Sequence, residues 1–201
     1  MTDTKRLFDL AVTLPAFAIS LPVQAVVALA VRSKLGSPVL FTQERPGLGG
    51  RTFVMRKFRT MLEPDPARGL VTDADRLTPF GTFLRSTSLD ELPTLWNIVR
   101  GDMSLVGPRP LLVRYLDRYS PEQARRHDVR PGLTGLAQVS GRNAMSWEQR
   151  LALDVDYVDT HTLRGDLAII VRTVSAVLRR DGIAAEGEVT MSEFDPHERT
   201  N

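Results

Sequence analysis

No cysteine occurs among the 201 residues, which removes disulfides, thiolate metal sites and a cysteine nucleophile together. Internal repeats are also missing, so nothing suggests a solenoid. Nor is there a strong charge of one sign. Lys plus Arg number 26 against 24 Asp plus Glu, and the formal balance of +2 makes no case for nucleic acid as a partner, although local basic clusters keep acidic ligands in view. Glycine and proline are scattered, and 25% charged beside 42% apolar residues excludes wholesale disorder and low-complexity architecture. The three histidines, His127, His161 and His197, lack metal-ligand spacing and read as surface residues. The length suits one ordinary domain with its own core.

What the chain does have is uneven. Leu10 to Val31 is 22 residues without a charge, enough at ~1.5 Å rise per residue to cross a hydrocarbon layer of ~30 Å. Beyond it the chain carries 46 of its 50 charged side chains and reads as a water-facing domain on a lipid anchor. A cleaved signal peptide fits poorly, because the run ends on Arg32 and Lys34 and not on a small-residue cleavage site. Two membrane readings remain, a kinked spanning helix and a re-entrant hairpin. Pro15 and Pro22 each remove a backbone donor and clash with the preceding turn. Lys5 and Arg6 on one side and Arg32 and Lys34 on the other give no charge asymmetry across the run, which favours the hairpin with its bend near Pro22.

The rest reads as α+β and mainly helical. Val39 to Gln43 and Thr52 to Phe58 are strand-like and joined by turn residues, predicting a short β-hairpin whose Gly47, Gly49 and Gly50 serve the turn. Ser120-Pro121-Glu122-Gln123 and Ser146-Trp147-Glu148-Gln149 are helix starts with capping-box logic. Asp166 to Arg180 carries a helical apolar pattern that stops at Gly182. The chain thus divides into a membrane segment, 1–35, a water-facing domain, 36–185, and a polar, loosely held tail, 186–201.

Ser88-Leu89-Asp90-Glu91 matches a capping box, which would make both carboxylates mere helix-start residues. Arginines crowd the same stretch, however: Arg85 before it, then Arg100 and Arg109, the last in the stiff Gly107-Pro108-Arg109-Pro110 loop. Adjacent carboxylates at a helix start among arginines suit a site for phosphates and a divalent cation, one acid attacking phosphorus while the other holds Mg2+. Between Arg45 and Arg59 lie five basic residues and no acid, fitting either a basic collar on anionic headgroups or phosphate binding. Asp65, Asp73 and Asp75 lack calcium-loop spacing and read as a solvated connection. Arg130-Pro131-Gly132-Leu133-Thr134-Gly135, leading to Gln138, Gly141 and Arg142, is a set of tight turns or a ligand wall.

These stretches, with Lys5-Arg6-Leu7-Phe8-Asp9, Gln43-Glu44-Arg45, Lys57-Phe58-Arg59-Thr60-Met61 and Leu84 to Pro93, together resemble the bacterial sugar transferases, the monotopic polyprenyl-phosphate phosphoglycosyl transferases. The short length resembles the small, PglC-like members, and Glu186 to Thr190 with Phe194 looks like their C-terminal ending. The resemblance implies transfer of a phosphosugar from a UDP-sugar to polyprenyl (undecaprenyl) phosphate, releasing UMP at the cytoplasmic face of a bacterial inner membrane. Carried over, Asp90 is the nucleophile and Glu91 the Mg2+ ligand. Arg85 and Arg109 handle phosphate, Asp154 is an acid of the site, and Lys57 and Arg59 belong to its basic motif. At the membrane break the family often has Ser-Pro, whereas here Leu21 separates Ser20 from Pro22. Direct transfer in a ternary complex and a non-enzymatic anionic-lipid scaffold are the alternatives.

Overall fold

The computed structural model describes residues 3–141, 145–179 and 193–194. The charge-free run forms α1, Asp3–Lys34, a helix long and apolar enough to cross a membrane. Its polar roots are sunk in the domain. Lys5 Nζ bonds Asp166 Oδ2 at 2.5 Å, and Asp9 accepts from Ser104 Oγ at 2.8 Å and from the Leu105 amide at 3.2 Å. Arg6 donates to the Ile98 and Val99 carbonyls, which end α4, Thr94–Arg100. At the other end Val27, Val31 and Leu35 are buried against Phe58 and Leu84. Both ends of α1 therefore rest on one domain. The surface between them is apolar and exposed, through Leu14, Ile19, Leu21, Val23 and Val26. In water each such side chain forgoes roughly 1.5 to 3 kcal/mol of burial, so this surface fits membrane association.

The expectation of a helix, a break and a second helix is corrected in one respect. α1 is a single helix with Pro15 and Pro22 inside it. Pro22 lacks the N–H that would bond the Ala18 carbonyl. Ser20 Oγ donates to the Phe17 carbonyl at 2.8 Å and accepts from Gln24 Nε2 at 2.9 Å. The serine one place early thus bonds the carbonyl next to the one that Pro22 leaves without its amide.

The predicted hairpin is present as β1, Leu40–Pro46, and β2, Thr52–Phe58, antiparallel from Leu40 opposite Phe58 to Pro46 opposite Thr52. Gly49 and Gly50 turn it with positive φ of 62° and 74°, the task expected of them. Two further strands, β3, Ser104–Val106, and β4, Gly132–Thr134, pair in parallel. They close the Gly107-Pro108-Arg109-Pro110 loop onto the Arg130 to Gly135 segment. A Cβ on Gly132 would lie 2.1 Å from the Gly107 amide nitrogen, so only glycine permits that approach. The segment read as tight turns or a ligand wall thus contains a short strand, which leads into α6, Leu136–Ser140.

Helices α2, Asp73–Arg76, and α3, Pro79–Ser86, precede α4, and α5, Pro121–Ala124, and α6, Leu136–Ser140, follow it. The capping boxes at Ser120 and Ser146 both form, the second starting α7, Trp147–Thr160. The apolar pattern near 166 belongs to α8, Leu163–Arg179, while its expected stop at Gly182 lies outside the described residues. The main core joins Met55, Leu95, Ile98, Met103, Leu105, Val106, Tyr157 and Ile169, welding the hairpin, α4, β3, α7 and α8. Of the tail, Glu193 and Phe194 are described. Phe194 is buried against Tyr115, Tyr119 and Trp147, so at this point the tail is packed and not loose.

Candidate active site

The site is assembled where α4 locks onto β2. Asn97 has no exposed surface; its Nδ2 donates to the Val54 carbonyl at 2.8 Å and its Oδ1 accepts from the Arg56 amide at 3.2 Å. Thr94 Oγ1 donates to the Arg56 carbonyl at 2.8 Å. These buried polar bonds leave little freedom to slide, since breaking one strands a desolvated partner. They set the turn before α4 opposite Lys57 of β2.

That turn, Leu89–Glu91, is a single 3-10 turn and not the start of the α-helix. The capping box predicted at Ser88 does not form: Ser88 makes no capping bond and is left-handed, with φ 55°. It is the one non-glycine residue with positive φ among the described residues, and such strain persists only where its surroundings enforce it. Glu91 does not reach back to Ser88. Instead its Oε1 accepts from Lys57 Nζ and, at 3.2 Å, from Arg109 Nη2. Its Oε2 has no bond from any described residue.

Asp90 is 8% exposed, and among the described residues no hydrogen bond reaches its carboxylate. Burial and then the Glu91 charge push its pKa up to about 6, against the pull of Lys57, Arg85 and Arg109. Glu91 goes the other way. Burial opposes its ionisation, but the charges and hydrogen bonds of Lys57 and Arg109 outweigh it and hold the carboxyl well below the usual range. The two adjacent acids are thereby separated into a paired, permanently ionised one and an unpaired, poised one.

Arg85, in the last turn of α3, donates through Nε to Thr60 Oγ1 at 3.1 Å, and its guanidinium acts electrostatically on Asp90. Arg109 is 41% exposed at the side chain and so open to a ligand. Lys57, Arg85, Asp90, Glu91 and Arg109 are therefore gathered as expected. Arg59 is not with them: it donates to the Leu35 and Ser37 carbonyls and pairs with Glu63, which ties down the end of α1. Asp154 is also set apart, buried in an ion pair with Arg126 at 2.7 Å. Burial raises its pKa, and Arg126 opposes that rise. Ser20 and Pro22 lie on α1, and the bonds of Ser20 go to Phe17 and Gln24 of the same helix.

Thr60, Arg126 and His127 were missed as parts of this neighbourhood. His127 corrects the expectation of a surface residue: it is 8% exposed, and burial followed by Arg126 lowers its pKa to about 4. In sequence, Arg125-Arg126-His127 reads as a charge run, and nothing local marks its middle residue as buried. Arg142, Glu186 to Thr190 and His197 lie outside the described residues.

Among the described residues no group of three acids or histidines could hold a metal. A magnesium ion tolerates this, since it commonly takes one or two carboxylates and completes its octahedron with phosphates and water. The open Oε2 of Glu91 fits that role.

The family model described as Bacterial sugar transferase matches residues 2–180. The uncharacterized sugar transferase EpsL of Bacillus subtilis is 48% identical over 191 residues, covering 94% of this chain and 95% of the relative. The UDP-glucose:undecaprenyl-phosphate glucose-1-phosphate transferase of Caulobacter vibrioides is 44% identical over 88% of this chain and 70% of its own. The undecaprenyl-phosphate galactose phosphotransferase of Salmonella typhimurium is 38% identical over 89% of this chain, which spans 41% of that longer protein. The dyad, the cationic loops and the long apolar helix thus sit in a chain that belongs to the bacterial sugar transferase family.

Proposed function

We propose that this enzyme moves a sugar phosphate from a UDP-sugar to polyprenyl phosphate, with Asp90 as the nucleophile. The observation that carries the reading is the asymmetry of the dyad: Asp90 is buried, accepts no hydrogen bond from any described residue and feels the charges of Lys57, Arg85 and Arg109, beside an acid already paired with two of those cations through one oxygen. An ionised, partly desolvated carboxylate without hydrogen bonds is a competent nucleophile, and the surrounding guanidinium groups match phosphate oxygens with paired donors. The Asp90 oxygen attacks the β-phosphorus, the bond to the bridging oxygen breaks, and UMP leaves with that electron pair. Polyprenyl phosphate then attacks the acyl phosphate, restoring the carboxylate and giving polyprenyl-diphosphate-sugar. Names of relatives that act on undecaprenyl phosphate support the lipid acceptor.

Mg2+ held at Glu91 would neutralise phosphate charge when bound. The residues' own part is to bring the charges of Lys57, Arg85 and Arg109 to bear on Asp90 and to keep Glu91 ionised. α1, with both ends on the domain and an apolar surface outward, supports a monotopic seat that holds the site at the cytoplasmic face of the inner membrane. Purified protein given UDP-sugar and polyprenyl phosphate should release UMP, and Asp90→Asn should not. Equal UMP release by both would refute the assignment.

A further inference from the structure

Arg126 has no task in this transfer, yet Arg109, Tyr119 and Asp154 all accept hydrogen bonds from it. It lies in the 3-10 turn Arg125–His127 and is 2% exposed. Its Nε and Nη2 donate to Asp154 Oδ2 at 3.0 and 2.7 Å, and Nη2 also donates to the Arg109 carbonyl at 2.6 Å. The Tyr119 ring packs on the guanidinium, 5.6 Å from its centroid. One planar group therefore joins α7, the 125–127 turn and the main chain of the residue whose side chain reaches Glu91 at 3.2 Å.

Stability alone is a weak reason for such a pair, because desolvation of two buried charges offsets most of their attraction. Placement is a better one. Arg109 lies between Pro108 and Pro110, which lack amide donors, and the loop is pinned from the 130s side by Gly107 N to Thr134 O at 2.9 Å and Gly132 N to Pro108 O at 3.0 Å. Those bonds fix the loop's start. The bond from Arg126 fixes the peptide of Arg109 itself, and the direction of that peptide sets where its side chain leaves the backbone.

We infer that Arg126 is a positioning residue for Arg109, and that Asp154 serves the reaction through Arg126 and not by touching substrate. This rests on the site being the proposed phosphate-transfer centre. A lysine in place of Arg126 keeps the charge beside Asp154, but one ammonium cannot reproduce the planar fork that serves a carboxylate and a carbonyl together.

The test is a double-mutant cycle on kcat/KM with Arg126→Lys and Arg109→Lys in the full-length protein, with melting temperature followed in parallel. Each single variant should lose about tenfold or more, while Arg126→Lys added to Arg109→Lys should cost less than about threefold further, because the group being positioned has gone. Asp154→Asn should show the same coupling to Arg109→Lys. Independent, multiplying losses would overturn the inference, as would a lowered melting temperature with unchanged kcat/KM in Arg126→Lys. Wild-type rates in Arg109→Lys beside a lost rate in Arg126→Lys would overturn it too, since Arg126 would then act elsewhere. Asp90→Asn tests the transfer reading separately: if that variant turns over normally, the site reading has failed whichever way the cycle falls.

Discussion

Two groupings in this molecule each bury an aspartate beside cationic side chains and end in opposite states. Asp166 is completely buried and fully satisfied, by Lys5 at 2.5 Å and by the Tyr157 hydroxyl at 2.8 Å. Asp90 is nearly as buried, lies among three cations, and accepts no hydrogen bond from any described residue. The first grouping roots α1 in the domain. The second leaves a carboxylate energetically unfinished, and a group in that condition is the one a substrate can complete. Burial of charge therefore does not separate scaffold from chemistry here; satisfaction of the charge does.

The sharpest way to break that comparison is to neutralise each acid in turn. Asp90→Asn should lower turnover by roughly 10³-fold or more, as loss of a nucleophile does, while leaving the melting temperature unchanged or higher. The sign follows from linkage. An acid whose folded pKa is raised stabilises the fold less once pH passes its unfolded value, so removing the charge at neutral pH relieves the fold. Lys5→Met should do the reverse to stability, at about 3 to 5 kcal/mol by chemical denaturation, because it leaves Asp166 buried without its counter-charge.

A pH series sharpens the contrast. With Asp90 raised to about 6, kcat/KM should fall as pH drops through that value and the nucleophile takes up its proton. Glu91→Gln should be severely impaired. Its residual activity should carry the acid limb to lower pH, since the Glu91 charge helps raise Asp90 and its loss frees Lys57 and Arg109 to act there. A limb that stays put would deny the coupling of the two acids. Excess chelator should abolish wild-type transfer; full activity under chelation would remove the metal from the account.

The smallest effects belong to α1. Ser20→Ala removes the bonds to the Phe17 carbonyl and from Gln24 Nε2 and should cost about 1 to 3 kcal/mol, at about 0.5 to 1.5 per bond, read as a fall in melting temperature in detergent. Because the chain has no cysteine, single cysteines at Thr4 and Val71 report sidedness cleanly, and both should label from the same side of sealed vesicles. Opposite-side labelling would replace the monotopic seat with a spanning helix.

How far the sequence was legible depended on the range of the forces involved. The apolar run, the hairpin and the helix starts at Ser120 and Ser146 are local in origin, and all are present. The dyad and its cations were legible through chemistry and resemblance, with Lys57, Arg85 and Arg109 brought to it by tertiary contacts that no periodicity shows. β3 and β4 were invisible, being three residues each and paired across a long separation. Ser88 misled because its capping signature is local, whereas the docking of α4 on β2 overrides it. Arg59 and Lys57 share a basic motif two residues apart, yet one holds the end of α1 and the other the dyad. Only packing distinguishes them.

The central claim is that Asp90 carries the phosphosugar. Intact-mass measurement of the protein after exposure to UDP-sugar without lipid acceptor tests it most directly. The account predicts a phosphosugar adduct on the wild type that Asp90→Asn lacks and that polyprenyl phosphate discharges. Absence of any adduct under rapid trapping, together with kinetics that require both substrates bound at once, would contradict it and assign the reaction to direct transfer.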